Sequence, residues 1–211
     1  MAVEYRELRK RDYPEVKSLI NDLEKFDQII PDAYYVEKFL SLYLRKTLAE
    51  SSYCQVAVYD GEVVGLIFAS AENDKKCYNP ITNSIRAFLD FFKLFISRFE
   101  YRELLKAYKE GIFDKYDELL ADREGQYQGE IKLFIVSPDQ QGLHIGTGLL
   151  ERAFEYFREQ EASRIYLFTD TDCNYGYYDH KGFLQSGTKE SVLKLPDGAR
   201  DLTIFLYEYD L

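Results

Sequence analysis

The residues best suited to chemistry in this chain lie between Val136 and Gly148, Val-Ser-Pro-Asp-Gln-Gln-Gly-Leu-His-Ile-Gly-Thr-Gly, just after the apolar run Leu133-Phe134-Ile135. Gly142, Gly146 and Gly148 let a backbone come close to a ligand. The N–H groups of a first helical turn have no partner within their helix, so together with the helix dipole they favour a phosphate or another anion.

Two kinds of phosphate loop are excluded by residue type and spacing. A Walker loop requires Gly-Lys-Ser/Thr ahead of its helix, and here Gly146-Thr147-Gly148 has no lysine to reach a terminal phosphate. The dinucleotide fingerprint requires Gly-x-Gly-x-x-Gly, which glycines at 142, 146 and 148 do not satisfy.

The loop resembles that of the GNAT superfamily of acyl-CoA-dependent N-acyltransferases, Gln/Arg-x-x-Gly-x-Gly/Ala directly after a strand ending in Val-x-Pro. Gln141, Gly142, Leu143, His144, Ile145 and Gly146 fill those places after Val136-Ser137-Pro138, with His144 where the family usually has its first glycine. A second element is similar too: after the strand-like Arg164–Thr169, the stretch from Asn174 through Tyr177-Tyr178 to Gly182-Phe183 resembles the family's Asn…Phe-Tyr-x-x-x-Gly-Phe. Asn174 stands closer to Tyr178 than the family spacing.

The resemblance implies an N-acetyltransferase passing an acetyl group from acetyl-CoA directly to a primary amine of a small molecule or peptide. It implies Glu130 as general base, the backbone N–H of Phe134 as oxyanion donor, and Val136 pairing its backbone with the pantetheine arm. Gln141 to Thr147 then hold the pyrophosphate and Tyr178 protonates the leaving thiolate. Glu130 could equally be an edge-strand glutamate facing water, and Asn174 could bind pantetheine or cap a short helix. Non-catalytic acyl-CoA binding and protein interaction on the same scaffold remain the alternatives.

The implied architecture is α+β, a mostly antiparallel, splayed sheet flanked by helices. Composition agrees: 211 residues with 46% hydrophobic and 16% aromatic content suit a single domain spanning 1–211. Val3–Leu8 alternates as a strand, and Asp12-Tyr13-Pro14 opens a helix with Val16, Leu19, Ile20 and Leu23 at helical spacing. Tyr34–Leu48 reads as a second helix. Cys54–Tyr59 and Glu62–Ser70 flank Asp60-Gly61, a hairpin signal. Ile145, Leu149, Ala153, Phe154 and Phe157 form one helical stripe, and Phe183–Leu195 and Leu202–Tyr209 pair across Pro196-Asp197-Gly198.

Residues 72–128 are too many for a structureless loop, so a helical hairpin insert is expected between the third and fourth strands, at about 75–125. Asn83–Phe99 places Ile85, Phe88, Leu89, Phe92, Phe95, Ile96 and Phe99 on one face, and Glu100–Leu120 is a charged helical stretch broken at Gly111. Packing on the parent domain is the first expectation for that aromatic face. A pocket lid or a homodimer contact is the other.

A formal charge of −10 disfavours nucleic acid and favours a cationic amine. His144 and His180 lack zinc-like neighbours, so no metal is expected. Cys54, Cys77 and Cys173 follow no metal or disulfide pattern, and Cys173 reads as a packed thiol. With no apolar leader and no apolar run of spanning length, the reading is cytoplasmic, with no membrane partner. Asp170 and Asp172 either hold a cationic substrate or end their strand.

Overall fold

A computed structural model describes residues 2–76, 80–140, 142–196 and 198–211. Its sheet has seven strands in the order β1-β2-β3-β4-β5-β7-β6. β1 (Glu4–Glu7), β2 (Tyr53–Tyr59) and β3 (Glu62–Ala71) form an antiparallel ribbon. The β2–β3 turn uses Asp60 at φ 54° and Gly61 at φ 87°, the left-handed pair that matches strand twist in a two-residue hairpin.

α1 (Tyr13–Glu24), the one-turn α2 (Phe26–Ile29) and α3 (Ala33–Glu50) cover one face of the sheet. Pro14 sits in the first turn of α1, where its missing N–H costs nothing, and Lys25 at φ 57° ends the helix. Val16, Leu19 and Ile20 are buried as their spacing predicts, whereas Leu23 at the stripe's edge is exposed. Asp32 caps α3 by accepting the Tyr34 N–H at 2.9 Å.

α7 (Ile145–Glu159) covers the opposite face through Ile145, Leu149, Leu150, Ala153 and Phe157. It is the crossover joining β4 (Gly129–Val136) to β5 (Arg164–Asp170), the one parallel pair in the sheet. That pair is short: it runs from Gly129–Ile165 to Ile131–Leu167 and stops. β4 continues to Val136 on β3, and β5 continues to Asp170 on β7 (Gly198–Asp210). A gap therefore opens inside the sheet beyond Ile131. α8 (Gly176–His180) follows β5, and β6 (Leu184–Leu195) completes the sheet, meeting β7 at Leu195–Gly198; Asp197 lies outside the described residues.

The insert differs from a hairpin broken at Gly111. α4 (Pro80–Ser97) is followed by α5 (Phe99–Tyr108), a π-helical turn (Lys109–Phe113) and α6 (Asp114–Leu120), so the chain winds through Gly111 without stopping. A Cβ on Gly111 would lie 3.2 Å from Leu193, and the Gly111 carbonyl accepts from Ser191 Oγ at 2.5 Å. Close approach of β6 explains the glycine, and the widened turn presents its carbonyl to Ser191.

The aromatic face of α4 does not pack on the parent domain. The buried stripe is Ala87, Asp90 and Leu94, while Ile81, Ile85, Phe88, Leu89, Phe92 and Ile96 point outward. Asp90 pairs with Arg45 and, at 3.9 Å, with Lys38, both on α3. A carboxylate this buried must keep its cations, so these pairs decide which side of α4 faces inward.

Candidate active site

The gap between β4 and β5 turns backbone into binding groups. Ser137 N–H donates to the Val64 carbonyl at 2.8 Å, continuing the β3–β4 ladder. Alternation along an antiparallel pair then directs the backbone groups of Val136 and Phe134 away from β3, into the gap. Their side chains, with that of Tyr177, pack on the α7 side, and the Phe134 and Tyr177 rings lie 5.8 Å apart.

At one end of the gap stands the N-terminus of α7. Gly142 at φ 86° and His144 at φ 53° bend the chain through the left-handed region, and His144 is the N-cap. Its carbonyl accepts from Gly148 N–H at 3.0 Å, which leaves the Ile145, Gly146 and Thr147 N–H groups without helical acceptors. The Ile145 side chain is buried in the core, so only its backbone can meet a ligand; Gly142, Leu143 and His144 are exposed. Gln141 lies outside the described residues. The glycines divide their labour: a Cβ on Gly146 would meet Tyr177 Oη at 3.3 Å, whereas Gly148 makes room for the Tyr5 ring of β1 rather than for a ligand.

Two groups to which the sequence reading gave no binding role complete this cradle. Lys181 Nζ donates to Thr147 Oγ1 at 2.7 Å and lies 5.5 Å from the centre of the Tyr177 ring. The cation that the loop lacks thus arrives from beyond α8. Tyr177 Oη is buried and makes no hydrogen bond among the described residues, although Thr147 is close by. A buried hydroxyl beside unpaired helical N–H groups suits an anionic ligand with hydrogen-bonding atoms, and the pyrophosphate and pantetheine of CoA are such groups.

Tyr178 is part-buried on the same core, its ring 5.6 Å from those of Phe183 and Tyr207. Burial first, then the neighbouring Cys173, raise its pKa, so the phenol stays protonated across the neutral range. Asn174 caps nothing with its side chain: its carbonyl accepts from Tyr177 N–H at 3.2 Å, and the side chain is exposed. Burial pushes the Cys173 thiol up to about 12, which keeps it from acting as a nucleophile.

Glu130 is not on an edge strand. It pairs with Ser70 of β3 and Tyr166 of β5, at the closed end of the gap. Its carboxylate accepts from Lys132 Nζ at 2.5 Å and from Tyr166 Oη at 2.9 Å. A bulge in the β3–β4 pairing at Phe68/Ala69 lets Ile131 join the core on the α7 side while Leu133 joins the core beneath α1 and α3.

A second carboxylate had no signal in the sequence. Glu24, the last residue of α1, is raised to about 7, first by burial and then modulated by Tyr108, Asp170 and Tyr43. Tyr108 of α5 and Tyr43 of α3 place hydroxyls within hydrogen-bonding reach of it. Tyr116 of α6 stacks on Phe168 of β5 at 4.0 Å, and Phe26 lies 5.7 Å from the Tyr108 ring. Tyr166, Phe168 and Asp170 alternate along one face of β5, so Asp170 joins Glu24 and the tyrosines in an acidic cluster on the α1–α3 side of the sheet. Burial raises the Asp170 pKa too, while Asp172 turns outward to Arg200 at 3.0 Å. Among the described residues no three of His, Cys, Asp and Glu gather as a metal-binding group.

A mixed sheet that splays apart at its short parallel pair, with a glycine-bearing helix N-terminus beside the gap, sets the class of fold. The family model described as "Acetyltransferase (GNAT) family" matches residues 4–183, and the chain belongs to that family. No curated protein matches it in sequence.

Solved structures share the fold. A Drosophila melanogaster polyamine N-acetyltransferase that forms N-acetylagmatine superposes with a TM-score of 0.58 at 13% identity, over 99% of this chain and all of that one. A ribosomal-protein-alanine N-acetyltransferase from Brucella melitensis gives 0.55 at 15%, over 99% of each. The NatC complex bound to Gag peptide and CoA gives 0.50 at 12%, over 100% of this chain and 99% of that one.

Proposed function

We propose that this protein transfers an acetyl group from acetyl-CoA directly to a primary amine of a small molecule or peptide. The observation that carries the reading is the gap between β4 and β5, with the N-terminus of α7 and Lys181 at one end of it and the Glu24–Asp170 cluster on its α1–α3 side. In this reading the cradle and Lys181 hold the pyrophosphate, and Val136 pairs its backbone with the pantetheine arm as an added strand.

A protonated alkylamine, pKa about 10.4, is not a nucleophile at neutral pH. Asp170 and the tyrosines draw the ammonium in, and a carboxylate takes its proton. Glu130 is the base implied by the family resemblance, but Lys132 Nζ and Tyr166 Oη both donate to its Oε2, and the Lys132 ammonium holds its charge. We assign the role to Glu24, whose pKa of about 7 matches proton transfer near neutrality. The free amine attacks the thioester carbon, and Phe134 N–H stabilises the oxyanion. The C–S bond then breaks, Tyr178 gives its proton to the departing thiolate, and the proton shed by the new amide nitrogen returns Tyr178 to its neutral phenol.

The test is release of free CoA thiol from acetyl-CoA over a panel of diamines, polyamines, aromatic amines and peptide N-termini. Turnover with at least one class, and none without amine, is expected. Tight CoA binding with no thiol released by any amine would make the protein a non-catalytic acyl-CoA-binding module, the reading that the histidine at the left-handed position 144 favours.

A further inference from the structure

The apolar face of α4 is inverted relative to an ordinary surface helix. Its polar anchor, Asp90 with Arg45 and Lys38, faces the domain, and its large side chains face away. Ile81 is 70% exposed, Phe88 63%, Ile96 63% and, just beyond the helix, Phe99 64%. Isolated exposed apolar residues are ordinary, but one continuous helical face of them marks an interaction surface.

The charges around this face say what covers it. The protein carries −10 overall, yet the exposed charged residues between Pro80 and Arg98 are all cationic: Arg86, Lys93 and Arg98. None forms an ion pair among the described residues. At helical spacing Arg86 and Lys93 lie together on one flank of the apolar face. Beyond the helix, Arg102 lies with its guanidinium 5.0 Å from the centre of the Phe99 ring, between the exposed acids Glu100 and Glu103. Glu100 is the first exposed acid after the stretch.

We propose that α4 docks this protein on an anionic lipid surface, lying in the plane of the interface with Phe88, Phe92 and Ile96 among the acyl chains and Arg86 and Lys93 against the headgroups. A phenylalanine-rich face flanked by cations on an otherwise acidic protein is the pattern of an interfacial helix. No helix among the described residues is long and apolar enough to cross a membrane, which limits α4 to lying on one. A two-fold contact between copies is disfavoured because it brings the same patch to itself and offers those cations no exposed acid between Pro80 and Arg98. The proposal stands apart from the reaction and departs from the expectation of no membrane partner.

Co-sedimentation of the full chain with phosphatidylcholine vesicles, with and without phosphatidylglycerol, tests it. Binding to the anionic vesicles only is expected, weakened by salt. Arg86→Glu with Lys93→Glu, and separately Phe88→Ser with Phe92→Ser, should each lower the partition coefficient about tenfold or more while circular dichroism stays unchanged. No sedimentation of the wild type with anionic vesicles would overturn the proposal, as would equal binding to neutral ones. A wild-type dimer in size-exclusion chromatography that Phe88→Ser with Phe92→Ser converts to monomer would also overturn it, making a second copy the partner.

Discussion

The Lys181 ammonium and the Thr147 hydroxyl meet at 2.7 Å, tying the residue that follows α8 to the first turn of α7. The contact places the cradle's cation on the opposite side of β5 in the chain from the loop it serves. Lys181→Met should therefore raise KM for acetyl-CoA by about tenfold or more, the worth of one charge-assisted contact, with little change in kcat. Steady-state kinetics at varied acetyl-CoA reads both; an unchanged KM would detach Lys181 from the phosphate site.

His144 caps α7 at φ 53°, a conformation that costs an L-residue with a side chain. His144→Gly relieves that strain and keeps the backbone N–H groups in place. An increase in stability of about 1 kcal/mol is expected in chemical denaturation, with CoA affinity equal or improved. A large loss of affinity would mean that the imidazole itself touches the cofactor or the amine.

Tyr178 keeps its proton at neutral pH because burial and Cys173 oppose ionisation. Tyr178→Phe removes the donor and retains the ring that packs on Phe183 and Tyr207. Turnover should fall on the order of 10²-fold while the affinity for CoA, measured by calorimetry, stays close to wild type.

The pH dependence separates the two carboxylates. Glu24 has its folded pKa raised from 4.5 to about 7, so the folded state holds a proton that the unfolded chain gives up. Its favourable contribution to stability is full below pH 4.5 and is lost as pH rises through about 7. Glu24→Gln should remove that dependence and raise Tm relative to wild type above pH 7. As the base form accumulates over the same range, the wild-type rate should climb through an inflection near 7 that Glu24→Gln abolishes and Glu130→Gln keeps. The reverse pattern would return the base to Glu130.

Local patterns were legible in sequence because they depend on neighbours along the chain. The Asp60-Gly61 turn, the Pro14 start of α1, the α7 stripe and the strand–loop–helix around Gly142 all appear close to where they were expected. Residues whose role depends on distant partners were not legible. Nothing around Glu24 announces that Tyr43, Tyr108 and Asp170 close over it, and Lys181 has no local reason to approach Thr147.

By itself, then, the sequence determined the kind of elements, their order, the family and the glycine-bearing loop ahead of α7, since turn chemistry and hydrophobic period are properties of short segments. Tertiary structure decided where the β4–β5 pairing ends, which carboxylate titrates near neutrality, and which side of α4 looks outward. The α4 case shows the reason: periodicity finds an apolar face but not its direction, and the ion pairs of Asp90 with Arg45 and Lys38 turned that face away from the domain.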